Sequence, residues 1–286
     1  MKSTAIIDVG SNSVRYAVLD KSTTVAAKKI NSTVLADGLF FSGELKREAI
    51  ERTVVAIEQF CREAKRDGAD ETAIFATEAV RAAKNGSEFT AEVLRRTGIA
   101  VDVLSGETEA EIGYAGAASY SHETAAVFDI GGASCEIVCG KNNAITYKKS
   151  NPVGCVRLRD GAAFSREKAE KLISAALNAP LPPAEKLIGI GGTATALGGM
   201  LACPEKYDMN KVHGSTVTRE FLESVATRFF EGADLLAEYP SLTPNRARVI
   251  GYGALVSLRV LNKFGFSQYT VSERDNIEGY YLLRCK

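Results

Sequence analysis

The sequence predicts an α/β protein built from two related domains that face each other across a cleft. Three observations carry that reading. The 286 residues amount to about two domains at ~100–200 residues each. Strand-like and helix-like segments alternate through both halves, the pattern of sheets covered by helices. A strand-turn-strand unit near the N-terminus, Asp8-Val9-Gly10-Ser11-Asn12-Ser13, returns at the start of the second half as Asp129-Ile130-Gly131-Gly132-Ala133-Ser134. Each is an apolar strand ending in Asp, a turn of small residues and a second apolar strand.

The first forty residues read as strands. The segments 5–8, 13–20 and 24–33 are rich in β-branched residues and separated by Gly, Asn, Ser and Asp. From Glu44 to Arg66 apolar residues recur at helical spacing (Ile50, Val54, Ile57, Cys61, Ala64), and Gly68 closes the helix. A strand over 72–77 and a short helix over 78–85 follow. Ser87 is the expected N-cap of the next helix, which Gly98 stops. A strand over 101–105 leads into an Ala- and Gly-rich helix, Glu107–Tyr120.

The second half opens on three strands, over 124–131, 134–140 and 144–151. Helices are expected near Arg166–Asn178, Thr193–Leu201, Thr218–Phe230 and Asn245–Phe264. Strands over 186–192 and 268–273 interrupt them, and a helix over 275–285 ends the chain. Pro180, Pro182 and Pro183 mark a loop.

Composition narrows the function classes. Lys+Arg and Asp+Glu are 35 each, so the formal net charge is zero. Bulk charge therefore gives no hold on nucleic acid or a membrane surface. No apolar run of ~18 residues is present, so no transmembrane helix is expected, and the N-terminus does not read as a signal peptide. The six cysteines form no C-x-x-C pair, and with two histidines they make no zinc cluster. They read as buried thiols in a reducing, cytoplasmic protein.

The two repeated loops carry chemistry. Glycines and serines let backbone N–H groups approach an anion closely, and hydroxyls add donors. Gly10, Ser11, Asn12 and Ser13 form the first candidate phosphate loop; Gly131, Gly132, Ala133 and Ser134 form the second. Asp8 and Asp129 cannot meet phosphate without repulsion, but each can hold a divalent cation that bridges phosphates. Two facing loops of this kind would clamp a polyphosphate or a nucleotide tail. An ordinary Gly/Ser turn accounts for either loop alone; the repeat in matching units favours the clamp. Gly191, Gly192 and Thr193 form a third anion-binding turn, between a strand and a helix. Arg15 and Arg81 can neutralise phosphate, or else form surface or interdomain ion pairs. Arg157 stands open in the same way. Lys148-Lys149 reads as a solvated strand end, and His213 has no partners for a nucleophilic triad.

These residues resemble the actin-like, sugar kinase and Hsp70-type ATPase superfamily. More narrowly, the chain resembles the exopolyphosphatase / guanosine pentaphosphate phosphohydrolase (Ppx/GppA) family. That narrower match is carried by residues 76–86 (ATEAVRAAKNG), 104–110 (LSGETEA), 154–158 (GCVRL) and 272–279, in the family's order. The resemblance implies two ribonuclease-H-like domains, 1–120 and 121–269, with a terminal helix over 270–286 packing back on the first. It implies hydrolysis of terminal phosphate from polyphosphate, or alternatively from guanosine pentaphosphate, with Mg²⁺ or another divalent cation. In the family pattern Gly-x-Glu-Glu-Ala, the Glu before Ala is the general base, which is Glu109 here. The preceding family Glu is replaced by Thr108, and Glu107 stands one place earlier. Ala133 stands where the family usually has Gly, so either an ordinary φ there or a slight shift of the loop is expected.

The additional C-terminal domains of longer relatives are expected to be absent, which together with zero net charge points to short polyphosphates. A homodimer is a reasonable expectation from the family, with no nucleic-acid or membrane partner. Two other readings stand beside the hydrolase: an ATP-using enzyme of the superfamily, and a nucleotide or polyphosphate sensor.

Overall fold

A computed structural model of the chain describes residues 3–20, 28–118, 121–142, 144–203 and 205–285. The chain divides into two compact units. One comprises the segment up to Gly116 together with the segment from Asn276; the other is Ala117–Asp275.

The first unit is a five-stranded sheet with helices on it. In chain order its elements are β1 (Thr4–Val9), β2 (Val14–Leu19), β3 (Lys29–Asn31), α1 (Leu39–Ser42), α2 (Arg47–Arg66), β4 (Glu71–Ala76), α3 (Glu78–Ala82), α4 (Gly86–Thr97), β5 (Val101–Val103) and α5 (Gly106–Ala118). The sheet order is β3-β2-β1-β4-β5. β2 pairs antiparallel with both β1 and β3, whereas β1, β4 and β5 run parallel. One side of the sheet meets α2, with the Tyr16 and Phe60 rings stacked at 5.3 Å between centroids. Elsewhere Phe75 stacks on Tyr280 at 4.6 Å in a core that also holds Ile6, Leu104, Ile112 and Ile277.

The second unit repeats that plan and adds to it. Its elements are β6 (Ala125–Ile130), β7 (Cys135–Lys141), β8 (Ala144–Asn151), α6 (Cys155–Ala162), α7 (Arg166–Ala176), β9 (Lys186–Ile190), α8 (Gly191–Ala202), α9 (Met209–Val212), β10 (Thr216–Thr218), α10 (Arg219–Phe230), α11 (Leu235–Glu238), α12 (Pro244–Ala247), α13 (Ile250–Phe264) and β11 (Gln268–Val271). The sheet order is β10-β11-β9-β6-β7-β8. Reading inward from β8, two antiparallel pairings lead to β6, and β9 and β11 then run parallel to it. The same antiparallel-then-parallel order in both sheets is the mixed α/β, ribonuclease-H-like architecture expected of the chain. The closing helix α14 (Asn276–Tyr280) and a π-helical turn over Tyr281–Cys285 belong with the first unit. Gly279 is required there, because a Cβ would run into the Ile112 carbonyl.

Several expectations are corrected. The third strand is short, and residues 24–27 of its expected span lie outside the described residues, as do Ser119 and Tyr120 of the fifth helix. α2 begins at Arg47 instead of Glu44, because Gly43 is left-handed (φ 70°), Lys46 is extended, and Asn85 Oδ1 accepts the Leu45 N–H at 2.8 Å. Ser87 is not an N-cap: Asn85 holds that position, with no side-chain cap bond, and Gly86 opens the helix against the Val80 carbonyl. The expected helix over 245–264 is two helices, broken at Arg248 and Val249. α6 and β10 carried no sequence expectation. Residues 270–275 fall in the second unit, since Thr270 and Val271 pair with β9. Cys135, Cys139, Cys155 and Cys203 are buried, Cys61 and Cys285 are half-buried, and all six thiols are free. No helix among the described residues is long and apolar enough to cross a membrane.

Candidate active site

In the first unit the candidate groups gather at the carboxyl ends of the parallel strands, where an open α/β sheet presents its ligand site. β1 ends in Asp8-Val9, and the chain turns through Gly10–Ser13 with the Gly10 N–H donating to the Ser13 carbonyl at 3.0 Å. Ser11 and Asn12 are buried. Their carbonyls accept from the Ala36 and Val34 N–H groups at 2.9 and 3.0 Å. With those carbonyls tied down, neither the Ser11 nor the Asn12 N–H donates to a backbone carbonyl among the described residues. That arrangement suits an anion.

Arg15 stands directly across the hairpin from Asp8. Its Nε donates to Asp8 Oδ2 at 2.9 Å, and Nη2 makes a second bond to the same oxygen. Both side chains are largely buried. Arg15 therefore sits in a largely buried ion pair within its own unit, not the surface or interdomain pair expected as its alternative role, and it neutralises the candidate metal ligand Asp8.

Glu109 lies in the first turn of α5, just after β5, and is 7% exposed. Arg81, on α3 just after β4, reaches it with Nη1 and Nη2 at 3.2 and 3.3 Å, both on Oε2. Arg81 also holds Glu78 through Nε at 3.0 Å and through Nη2, and it donates to the Leu104 carbonyl. Burial works against the Arg81 charge, but the Glu109 and Glu78 carboxylates outweigh it and raise its pKa. Glu107 is exposed and Glu111 half-buried. Thr108 has a local role: its N–H donates to Ser105 Oγ at 3.1 Å, and the two hydroxyls lie 2.9 Å apart, which ties the start of α5.

The second unit rebuilds the same turn. The Gly131 N–H donates to the Ser134 carbonyl at 2.9 Å. Gly131 and Gly132 carbonyls accept from the Cys155, Val156 and Arg157 N–H groups at 2.7–3.0 Å, and the Ala133 carbonyl accepts from Arg157 Nε at 2.8 Å. The loop thus caps α6, which has no side-chain cap of its own. A Cβ on Gly154 would stand 2.6 Å from the Ala133 nitrogen, so this close approach requires glycine. Ala133 has no positive φ, the first of the two expectations. Ala133 and Ser134 are buried.

The third turn wraps the second aspartate. Gly191 is left-handed (φ 72°), and a Cβ there would run into the Asp129 carboxylate. Thr193 is fully buried, and its hydroxyl donates to the Ile130 carbonyl at 2.6 Å, so its side chain ties α8 to β6. Two residues escaped sequence reasoning. Arg246, on α12, lies against the Gly192 backbone, with Nη1 3.4 Å from Thr193 Oγ1. Its only sequence signal was the Thr243-Pro244 helix start. Glu136 faces Asp129 across the β6–β7 hairpin, is 3% exposed, and accepts from Ser150 Oγ at 2.6 Å. The seven-residue offset that relates Asp8 to Arg15 would have pointed to it. His213 keeps a structural role, with Nδ1 accepting the Glu273 N–H at 3.2 Å.

Two Gly/Ser hairpin loops, each following an aspartate at a strand end, together with a buried Arg-held glutamate, define an α/β enzyme of phosphate chemistry. The chain belongs to the Ppx/GppA phosphatase family, whose model matches residues 15–282, and it is a phosphoanhydride hydrolase. It is similar to exopolyphosphatase 2 of Mycobacterium tuberculosis, with 30% identity covering 97% of each chain. A guanosine-5′-triphosphate,3′-diphosphate pyrophosphatase of Photobacterium profundum is 28% identical over 94% of this chain and 56% of that protein. The crystal structure of the Aquifex aeolicus Ppx/GppA family member matches with a TM-score of 0.80 at 26% identity, covering 98% of this chain and 96% of that one.

Proposed function

We propose that the protein hydrolyses the terminal phosphoanhydride bond of inorganic polyphosphate, with Glu109 as general base. The observation that carries the reading is the buried Glu109 carboxylate, clamped by two N–H groups of Arg81 in the unit that holds the Gly10–Ser13 loop. Phosphoryl transfer asks for an oriented water, a base and charge stabilisation. Glu109 takes the proton of the attacking water, whose oxygen bonds to the terminal phosphorus as the bridging P–O bond breaks. The shortened chain leaves with the bridging oxygen. Arg81 acts through Glu109 as a positioning residue. Backbone N–H groups at Ser11 and Asn12, in the same unit as Glu109, meet the developing charge on phosphoryl oxygens; in the second unit, Gly132 and Ala133 offer phosphate the same kind of donor. The first-turn N–H groups at Gly192 and Thr193 add a helix N-terminus, with Arg246 beside them.

The donor chemistry fits a Mg²⁺ ion or another hard divalent cation. Such an ion is held by one or two carboxylates plus substrate phosphates, without an all-protein cage. Among the described residues no group of three or more His, Cys, Asp or Glu is gathered as a cage, and Gly191 leaves the Asp129 carboxylate its space. Asp8 in the first unit and Asp129 in the second are the residues that would each offer a cation a carboxylate. When bound it would neutralise phosphate charge. Zero net charge supports a preference for short chains, because long polyanions gain affinity from many cationic contacts.

The similarity to exopolyphosphatase 2 over the whole chain favours polyphosphate over guanosine pentaphosphate. Phosphate release from polyphosphate, guanosine pentaphosphate and ATP with Mg²⁺ tests the reading. Polyphosphate should be cleaved fastest and ATP least. Faster release from guanosine pentaphosphate would reassign the substrate, and binding without turnover would make the protein a sensor.

A further inference from the structure

Arg81 is held more tightly by Glu78 than by the carboxylate it clamps. Glu78 and Arg81 stand three residues apart on α3, so their side chains share one face. Glu78 Oε2 accepts from Arg81 Nε at 3.0 Å and again from Nη2. Nη1 donates to the Leu104 carbonyl. Both contacts to Glu109 Oε2 are longer than the Nε bond to Glu78, at 3.2 and 3.3 Å. The side chains of Arg81, Glu78 and Glu109 are 23%, 17% and 8% exposed, so solvent screens their charges only in part.

A general base loses its negative charge when it takes a proton. With Glu109 as the sole carboxylate on Arg81, that step would leave a largely buried guanidinium without a counter-charge, which is costly. Glu109 would then resist the proton. Glu78 removes that cost, because it stays on the guanidinium while Glu109 turns neutral. We propose that Glu78 is a positioning residue that keeps Arg81 anchored and charge-balanced while Glu109 takes and releases the proton. The inference rests on Glu109 as the base. Burial opposes the Arg81 charge, and Glu109 and then Glu78 restore it. Other charged groups of the first unit have partners of their own. Asp8 meets Arg15, Glu278 meets Lys28 at 2.9 Å, and Asp102 accepts from the Tyr280 hydroxyl at 3.1 Å. Glu107 and Glu111 flank Glu109 on α5, and Tyr114 is buried one turn further on. These groups are common to every variant below, so differences between variants report Glu78 and Arg81.

The pH dependence of kcat/KM reports the base in the free enzyme. Glu109 acts unprotonated, so activity falls as pH drops through its pKa. Glu78→Gln keeps an acceptor for Arg81 and removes only charge. It should move the acid limb down by about one pH unit and lower kcat several-fold above the limb, because a less basic carboxylate is a weaker base. Arg81→Gln should move the limb the opposite way. Glu78→Asp, which keeps the charge, should return the limb towards that of the unaltered enzyme. A purely structural Glu78 would change the melting temperature and leave the limb in place. That result, alongside an inactive Glu109→Gln, would overturn this inference alone, as would limbs that shift in the same direction for Glu78→Gln and Arg81→Gln. Near-normal turnover in Glu109→Gln would instead overturn the base, and this inference with it.

Discussion

The two Gly/Ser loops share a backbone and differ in charge. In each, a glycine N–H closes the turn on a serine carbonyl three residues on, at 3.0 Å in the first unit and 2.9 Å in the second. In each, the strand-end aspartate faces the residue seven positions later across an antiparallel pair. In the first unit that residue is Arg15, which bonds Asp8; in the second it is Glu136, beside Asp129. One hairpin geometry thus serves two electrostatic purposes. The first loop carries a neutralised aspartate in the unit that holds the Arg-clamped base. The second sets two carboxylates side by side, which suits a cation that arrives with phosphate.

The largest effect should come from removing the base. Glu109→Gln keeps size and hydrogen bonding but cannot take a proton, so kcat should fall ~10²–10⁴-fold while polyphosphate still binds. Exposed Glu107→Gln should keep near-normal turnover. If Glu136→Gln costs more kcat than Glu109→Gln, the division of labour between the two units is reversed. Asp8→Asn comes next. It leaves the Arg15 guanidinium without its carboxylate, and thermal unfolding should report a loss of about 3 kcal/mol.

The matching Asp129→Asn should spare stability and weaken Mg²⁺ titration of activity by roughly 10–100-fold, more than Asp8→Asn does. Equal metal curves for the two variants would erase the contrast between the loops. Gly191→Ala should cost ~1–3 kcal/mol, because alanine is strained at a φ of 72° and its methyl meets Asp129. Gly131→Ala should cost less, since a Cβ there stands 3.4 Å from the Ser134 carbonyl oxygen. The smallest effects separate true caps from apparent ones. Thr218 Oγ1 accepts the Phe221 N–H, so Thr218→Ala should cost about 1 kcal/mol, whereas Ser87→Ala should leave the melting temperature unchanged.

Much of this protein is determined by local sequence. The paired Asp-x-Gly loops, the β1–β2 and β6–β7 hairpins, the Gly98 stop and the apolar stripe of α2 follow from turn chemistry and periodicity, which act over a few residues. Tertiary structure decided what depends on partners distant in the chain. α6 could not be foreseen because its cap is the Gly131–Gly132 backbone, more than twenty residues away. The start of α2 depends on Asn85, and the break before α13 delivers Arg246 to Gly192. The sequence named no partner for Arg15; hairpin register supplies Asp8. Lys148-Lys149 read as a solvated strand end, whereas both residues are half-buried, because burial is set by what packs on the strand and not by its neighbours along it. Charge is a property of single residues, but its counter-charge is chosen by the fold.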